Sequence, residues 1–185
     1  MVIERIEAQL PGAILDRHAF RGDQTVVVAG ERFLDVVDCV FREGFQLLLD
    51  VTAVDQGPVS AASAAGAGSS GACDRGESRE LRFDVVYHLL NLASQERLRI
   101  KVPVAEGASQ PSLTGRFKSA DWAEREVYDM FGIRFQGHPN LARLLMWEDF
   151  PGYPLRKDFP LDGGDRFCNQ DIGVPFAPDA RSLYP

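Results

Sequence analysis

Two carboxylates, Glu124 and Glu126, stand close together in the charged run EREVYDMFGI, Glu124 to Ile133, and an acid/base pair is the chemistry they first suggest. Their spacing argues against it, because residues two apart on a helix do not face each other. No nucleophile–base pattern, phosphate loop or H-E-x-x-H accompanies them. The three cysteines, Cys39, Cys73 and Cys168, are far apart and never form a C-x-x-C pair. That pattern argues against a disulfide framework, a zinc site or an iron–sulfur cluster held by this chain alone. Of the three histidines, His18, His88 and His138, none lies at metal-ligand spacing from another. A dinucleotide fingerprint is missing too. The expectation is a chain without a catalytic, cofactor or metal site of its own.

Composition narrows the class further. The chain has 185 residues, 45% of them hydrophobic and 25% charged, which suits one soluble globular domain. Its net charge of −7 supplies no basic field for nucleic acid or anionic lipid. No run is long and apolar enough to span a membrane, and MVIERIEAQLPG lacks a signal-peptide pattern. The expected location is therefore the cytosolic side.

The elements that must position the charged run follow from periodicity. VIERIEAQL places Val2, Ile3, Ile6 and Leu10 at helical intervals before Pro11 and Gly12. AILDRHAF and QTVVVAG predict a hairpin turning around 21–23. From Glu31 a second helix is expected, with Phe33, Leu34, Val37, Val40 and Phe41 as its buried face and Gly44 as its stop. FQLLLDVTAVD, LRFDVVYHLLNL and RLRIKVPV predict three more strands, the last with Leu98, Ile100, Val102 and Val104 turned inward. The class is α+β: a two-layer domain over 1–150, with a small mixed or antiparallel sheet and helices on one face. The Gly/Ala/Ser-rich stretch 57–80 predicts a flexible insertion, since it has too little apolar surface to offset ordering entropy. Residues 151–185 predict an extended, partner-binding tail anchored by scattered aromatics.

The charged run itself predicts a third helix, capped by Asp121 and Glu124 and closed by Gly132. Ala120, Ala123, Val127, Met130 and Phe131 share the side facing the sheet. Trp122, Arg125 and Asp129 cluster opposite, and a tryptophan among charges suggests a partner surface. Glu124, at the edge of the apolar side, needs a partner of its own.

From Trp122 to Leu161 the sequence reads WAEREVYDMFGIRFQGHPNLARLLMWEDFPGYPLRKDFPL. It closely resembles the signature of the thirty-kilodalton subunit family of the proton-pumping NADH:quinone oxidoreductase, respiratory complex I. Glu124, Arg125, Glu126, Asp129, Phe131, Gly132, Gly137, His138, Pro139, Arg143, Gly152, Arg156, Lys157 and Asp158 are among the matching positions. Ala142 and Tyr153 depart from it, where many relatives carry a second basic residue and a histidine. The resemblance implies a structural subunit of the peripheral arm, on the cytoplasmic side of the membrane, with no redox centre of its own. FMN and the iron–sulfur clusters would then sit in partner subunits. The implied partners are the large quinone-site subunit and the subunit bearing the terminal cluster, met through Trp122, Glu124, Arg125, Asp129, His138, Arg143, Arg156, Lys157 and Asp158. In the tail, Arg156 is expected to fork onto a partner's carboxylate, and truncation after Phe150 to leave a folded domain. Two alternatives stay open. One is the equivalent subunit of a ferredoxin-driven quinone oxidoreductase or a membrane-bound hydrogenase; the other is a free-standing α+β enzyme.

Overall fold

The computed structural model describes residues 2–57 and 81–160. Helix α1 (Val2–Gln9) buries Ile3 and Ile6. Strands β1 (Ile14–Phe20) and β2 (Asp23–Val28) follow as an antiparallel hairpin. Its two turn residues, Arg21 at φ 53° and Gly22 at φ 91°, both sit in the left-handed region that a type I′ turn demands. A single 3-10 turn (Gly30–Arg32) leads into α2 (Phe33–Arg42). Then come β3 (Leu47–Asp55), β4 (Phe83–Leu90), β5 (Arg97–Val104), β6 (Ser109–Pro111), α3 (Ala120–Phe131) and β7 (Arg134–Gln136).

Five strands form one sheet in the order β1-β2-β5-β4-β3, antiparallel throughout except where β2 and β5 run parallel. Leu98, Ile100, Val102 and Val104 turn inward, joining Val26, Val28, Val85, Tyr87 and Val51 under the three helices. The two-layer α+β architecture with a mixed sheet is the one expected. Residues 58–80 and 161–185, which include most of the predicted insertion and tail, lie outside the described residues.

Three local expectations need correction. On α2, Leu34 is 47% exposed, while Val36 and Cys39 are buried in its place. Helical spacing marks a wide arc, of which only part is covered by the core. At the start of α3, Asp121 is not the cap. The helix begins at Ala120, and the hydroxyl of the preceding Ser119 donates to the Leu48 carbonyl at 2.9 Å, tying α3 to β3 instead. Finally, β6 and β7 pair as a short parallel ladder that strands of three residues are too brief to reveal by alternation.

Candidate functional site

Helix α3 is gripped on both sides by its own chain. Towards the core, Glu124 is fully buried. Its two carboxylate oxygens accept hydrogen bonds from the Leu113 N–H at 2.7 Å and the Ser112 hydroxyl at 2.6 Å. Burial pushes its pKa up, partly offset by those two donors. The partner that Glu124 needs is thus supplied by the loop before α3, and the side chain is not at a surface.

The outer side is covered by residues 137–160, which fold back along α3 as an arm. The grip centres on Asp129, which is also fully buried. One of its oxygens accepts from Arg143 Nη1 at 2.8 Å. The other accepts three successive backbone N–H groups, from Leu144, Leu145 and Met146, at 3.0, 2.7 and 2.9 Å. Burial alone would raise the Asp129 pKa, but these donors outweigh it and hold the carboxyl below its ordinary value. Arg125 donates to the Ala142 and Arg143 carbonyls, at 3.0 and 3.1 Å. Arg143 continues onward, donating through Nη2 to the carbonyls of Phe150 and Gly152 at 3.0 and 3.1 Å. His138 accepts the Asn140 N–H through Nδ1, so Nε2 carries the proton and donates to the Asp121 carbonyl at 3.0 Å.

Further along, guanidinium and aromatic planes alternate. Arg143 lies over Tyr153 at 5.4 Å, Arg156 over Tyr153 and Phe83 at 4.5 and 5.3 Å, and Arg82 over Phe83 at 5.0 Å. Gly132 closes α3 at φ 75°, and Tyr153 packs directly against it. A side chain there would meet the Tyr153 ring at 2.5 Å and Arg156 Nη2 at 2.7 Å. Gly132 therefore has two duties: a left-handed turn and a surface bare enough for the arm to land on.

The arm ends on an ion cluster that sequence reasoning missed. Arg82 and Asp55 form a buried, two-pronged pair, with Nε and Nη2 at 3.0 and 2.9 Å from the two carboxylate oxygens. Arg82 also reaches Glu106 at 2.9 Å and Asp158 at 2.7 Å, while Asp55 accepts the Lys157 N–H at 2.8 Å. Arg156 donates to the Phe131 carbonyl at 2.6 Å and to Glu106 at 3.1 Å. The hydrogen bonds that Arg82 donates to Asp55 and Asp158 push its pKa up, so it stays charged despite burial. Asp55 and Arg82 also face each other across the base of the 58–80 stretch, beside a backbone bond from Gln56 N–H to the Arg82 carbonyl. No sequence motif marks this cluster.

These contacts revise the expected partner surface. Glu124 and Asp129 are interior, and Arg125, His138, Arg143, Arg156 and Asp158 all bond within the chain. Among the described residues, Arg156 divides between the Phe131 carbonyl and Glu106. The described part of the predicted tail, 151–160, lies on the domain rather than leaving it, so truncation after Phe150 would remove Arg82's bond to Asp158 and the Tyr153 packing. What remains open along α3 and the arm includes four large apolar side chains beside the charged Glu126, Glu148 and Asp149. Trp122 is 68% exposed and Trp147 46%, with Leu145 and Leu155 also exposed along α3 and the arm. The Lys157 side chain is exposed as well.

The cluster at Asp55 carries a pH signature. Burial would raise its pKa, but the bonds from Arg82, Lys157 and Gly57 hold it down at about 2. An unfolded aspartate titrates near ~3.9. The stabilisation is therefore complete above about pH 4 and is lost as pH falls through about 2; its size is ~2–3 kcal/mol. Glu124 has the opposite sign, since its raised pKa makes acidification relieve a buried charge. Comparing wild type with Asp55→Asn in urea titrations at several pH values isolates the first effect. The stability gap between them should shrink by about 2–3 kcal/mol between pH 5 and pH 1. A constant gap would show that Asp55 is not held ionised.

The fold and site define a two-layer α+β domain whose Arg125, Asp129 and Arg143 fasten its own C-terminal arm. The sequence comparisons make the family specific. The chain belongs to the family of the respiratory-chain NADH dehydrogenase thirty-kilodalton subunit, whose model matches residues 26–165. It is 40% identical to an NADH-quinone oxidoreductase subunit of this kind from Citrifermentans bemidjiense over 166 residues, which is 89% of this chain and 91% of that one. Among solved structures, it is similar to the trypsin-resistant fragment (1-134) of Nqo5, at TM-score 0.58 and 32% identity, covering 76% of this chain and all of that fragment. The fold is also found in the membrane-bound sulfane sulfur reductase, an archaeal respiratory membrane complex, at TM-score 0.67 and 22% identity, covering 97% and 95% of the two chains. The chain is thus a subunit of an NADH-quinone oxidoreductase type of complex, tied to electron transport in a membrane-associated assembly. No helix among the described residues is long and apolar enough to cross a membrane.

Proposed function

We propose that this chain is a non-catalytic scaffold of the peripheral arm of NADH:quinone oxidoreductase, on the cytoplasmic side of the membrane. In this reading it holds no redox group. Electrons pass from NADH through FMN and iron–sulfur clusters in other subunits to quinone. The chain braces the large quinone-site subunit and the subunit with the terminal cluster. The observation that carries the reading is the division of labour at α3. Arg125, Asp129 and Arg143 are committed to an internal clamp, and Trp122, Leu145, Trp147 and Leu155 are left exposed along the clamped surface. Exposed tryptophans on a rigid backing are the residues most apt to dominate a protein interface.

The same reading sets its test. Affinity-tagged full chain, expressed in place of the native gene, should copurify with the flavin-bearing and cluster-bearing subunits. Trp122→Ala with Trp147→Ala should lower recovery of those subunits at least tenfold, since a hot-spot tryptophan is worth about 2 kcal/mol or more. The melting temperature of the free chain should move by no more than a few degrees. Recovery unchanged by both substitutions would place the interface elsewhere. Copurification with a ferredoxin-linked or nickel–iron assembly would favour the related complexes over the NADH enzyme.

A further inference from the structure

The chain holds several of its own arginines in one recurring way, between a carboxylate and the face of an aromatic ring. Arg82 pairs with Asp55 and lies over Phe83 at 5.0 Å. Arg143 pairs with Asp129 and lies over Tyr153 at 5.4 Å. Arg156 pairs with Glu106 and lies over the same ring at 4.5 Å. Arg116 repeats the arrangement with Asp38 and Phe41, the ring centre 4.9 Å away. The two ligands suit one guanidinium, because the ring attracts its flat face while the carboxylate takes its N–H edge.

Two places on the outer surface offer the same pair of groups without an arginine. On α3, Glu126 follows the exposed Trp122 by four residues, which makes the two neighbours on the helix surface. On the arm, Glu148 and Asp149 follow Trp147 in a turn closed by the Phe150 N–H on the Trp147 carbonyl at 3.1 Å. Trp147 meets Phe150 in a T-shaped contact that still leaves the indole exposed. The two places share one surface, because residues 144–146 are bonded to Asp129, about two turns along α3 from Trp122. Glu126, Glu148 and Asp149 are exposed and form no ion pair with a described residue. No cation among the described residues lies over either indole. Arg125 gives its N–H groups to the carbonyls of Ala142 and Arg143, Arg134 stands on β7 in register with Ser109, and the Lys157 stem lies by Gly57.

We propose that Trp122 with Glu126, and Trp147 with Glu148 and Asp149, each receive an arginine from a basic segment of a neighbouring subunit of the complex. A guanidinium stacked on the indole and bonded to the carboxylate completes at the surface the arrangement that Arg82, Arg116, Arg143 and Arg156 make within the chain. Tryptophan offers a cation the strongest ring face of any side chain. Charge favours the same occupant, since three unpaired carboxylates on a chain of net charge −7 attract a basic segment and repel an acidic one. A second copy of the chain is the poorer source, because two such chains repel each other. The inference rests on the scaffold reading of α3 and the arm, and goes past it in naming the chemistry of the partner.

The test uses the full chain, tagged and expressed with the other subunits of its complex. E126K/E148K/D149K should lower recovery of those subunits about tenfold or more at low salt, and the neutral E126Q/E148Q/D149N should lower it less. Wild-type recovery should fall as sodium chloride rises, and the neutral variant should lose most of that dependence. W122L/W147L keeps an apolar surface without the indole faces and should lower recovery about threefold or more. Thermal unfolding of each variant separates a docking defect from a folding defect, and the neutral variant keeps the test valid if the reversed one misfolds. Wild-type recovery and salt dependence retained by both charge variants would overturn the proposal. If Trp122→Ala with Trp147→Ala still loses the other subunits in that case, the scaffold reading stands with an apolar interface. Full recovery with the leucine pair would overturn the proposal too. So would dimerisation of the free chain that the charge variants abolish while recovery of the other subunits is untouched, which would assign the surface to a second copy. If wild type recovers no other subunits at all, the scaffold reading fails and the proposal with it.

Discussion

Asp129→Ala lowers the melting temperature of the free full chain by roughly 6–20 °C. The substitution strips a fully buried carboxylate from Arg143 and from three consecutive N–H groups at 144–146. Breaking one side of a buried charge pair costs about 3–5 kcal/mol, because the remaining charge and donors stay desolvated and unsatisfied. For a chain of this length each kcal/mol moves the midpoint by about 2–4 °C. Assembly fails as a consequence, since the arm can no longer present its tryptophans. Differential scanning calorimetry provides the check, and a shift below about 2 °C would show that the Asp129 clamp is dispensable. This reverses the simpler expectation that Asp129, on the outer side of its helix, affects partners more than folding.

Gly132→Ala should be nearly as damaging, for a different reason. At φ 75° an alanine is strained by about 1–2 kcal/mol. Its methyl would also lie within 2.5 Å of the Tyr153 ring, an overpacking that adds about 1–3 kcal/mol or expels the ring. The combined loss is about 2–5 kcal/mol, and limited proteolysis should then cut within 140–160, where wild type resists. Tyr153→Ala in the same chain removes the clash but leaves the backbone strain. The double variant should therefore be less destabilised than the sum of the two single changes. Strict additivity would mean that Tyr153 does not pack on Gly132.

Most of the fold was legible in the sequence because each main element has a period long enough to declare itself. The alternation of Leu98, Ile100, Val102 and Val104 reported which face of β5 is buried, and Gly132 announced the end of α3. The candidate site was legible only in part. Helical spacing correctly grouped Trp122, Arg125 and Asp129 on one side of α3, yet it reports an angle and not what later chain covers. The arm crosses the C-terminal half of that side and buries Asp129, while Trp122 at the N-terminal half stays exposed. The same blindness hid the Asp55–Arg82 pair, whose members are joined by sheet register rather than by sequence spacing. Sequence spacing alone likewise assigns Arg156 and Asp158 to a partner, without revealing their contacts inside the chain. Their partners Glu106 and Arg82 come from distant parts of the chain.

Hydrogen–deuterium exchange at Leu144, Leu145 and Met146, compared between the free full chain and the assembled complex, decides whether this chain fastens its own arm. Their N–H groups are bonded to the buried Asp129 carboxylate within the chain itself. They should exchange slowly already in the free chain, with little further change on assembly. New protection should instead appear around Trp122 and Trp147. Rapid exchange at 144–146 in the free chain, slowing only in the complex, would mean the opposite: that partners, rather than this chain, hold the arm in place.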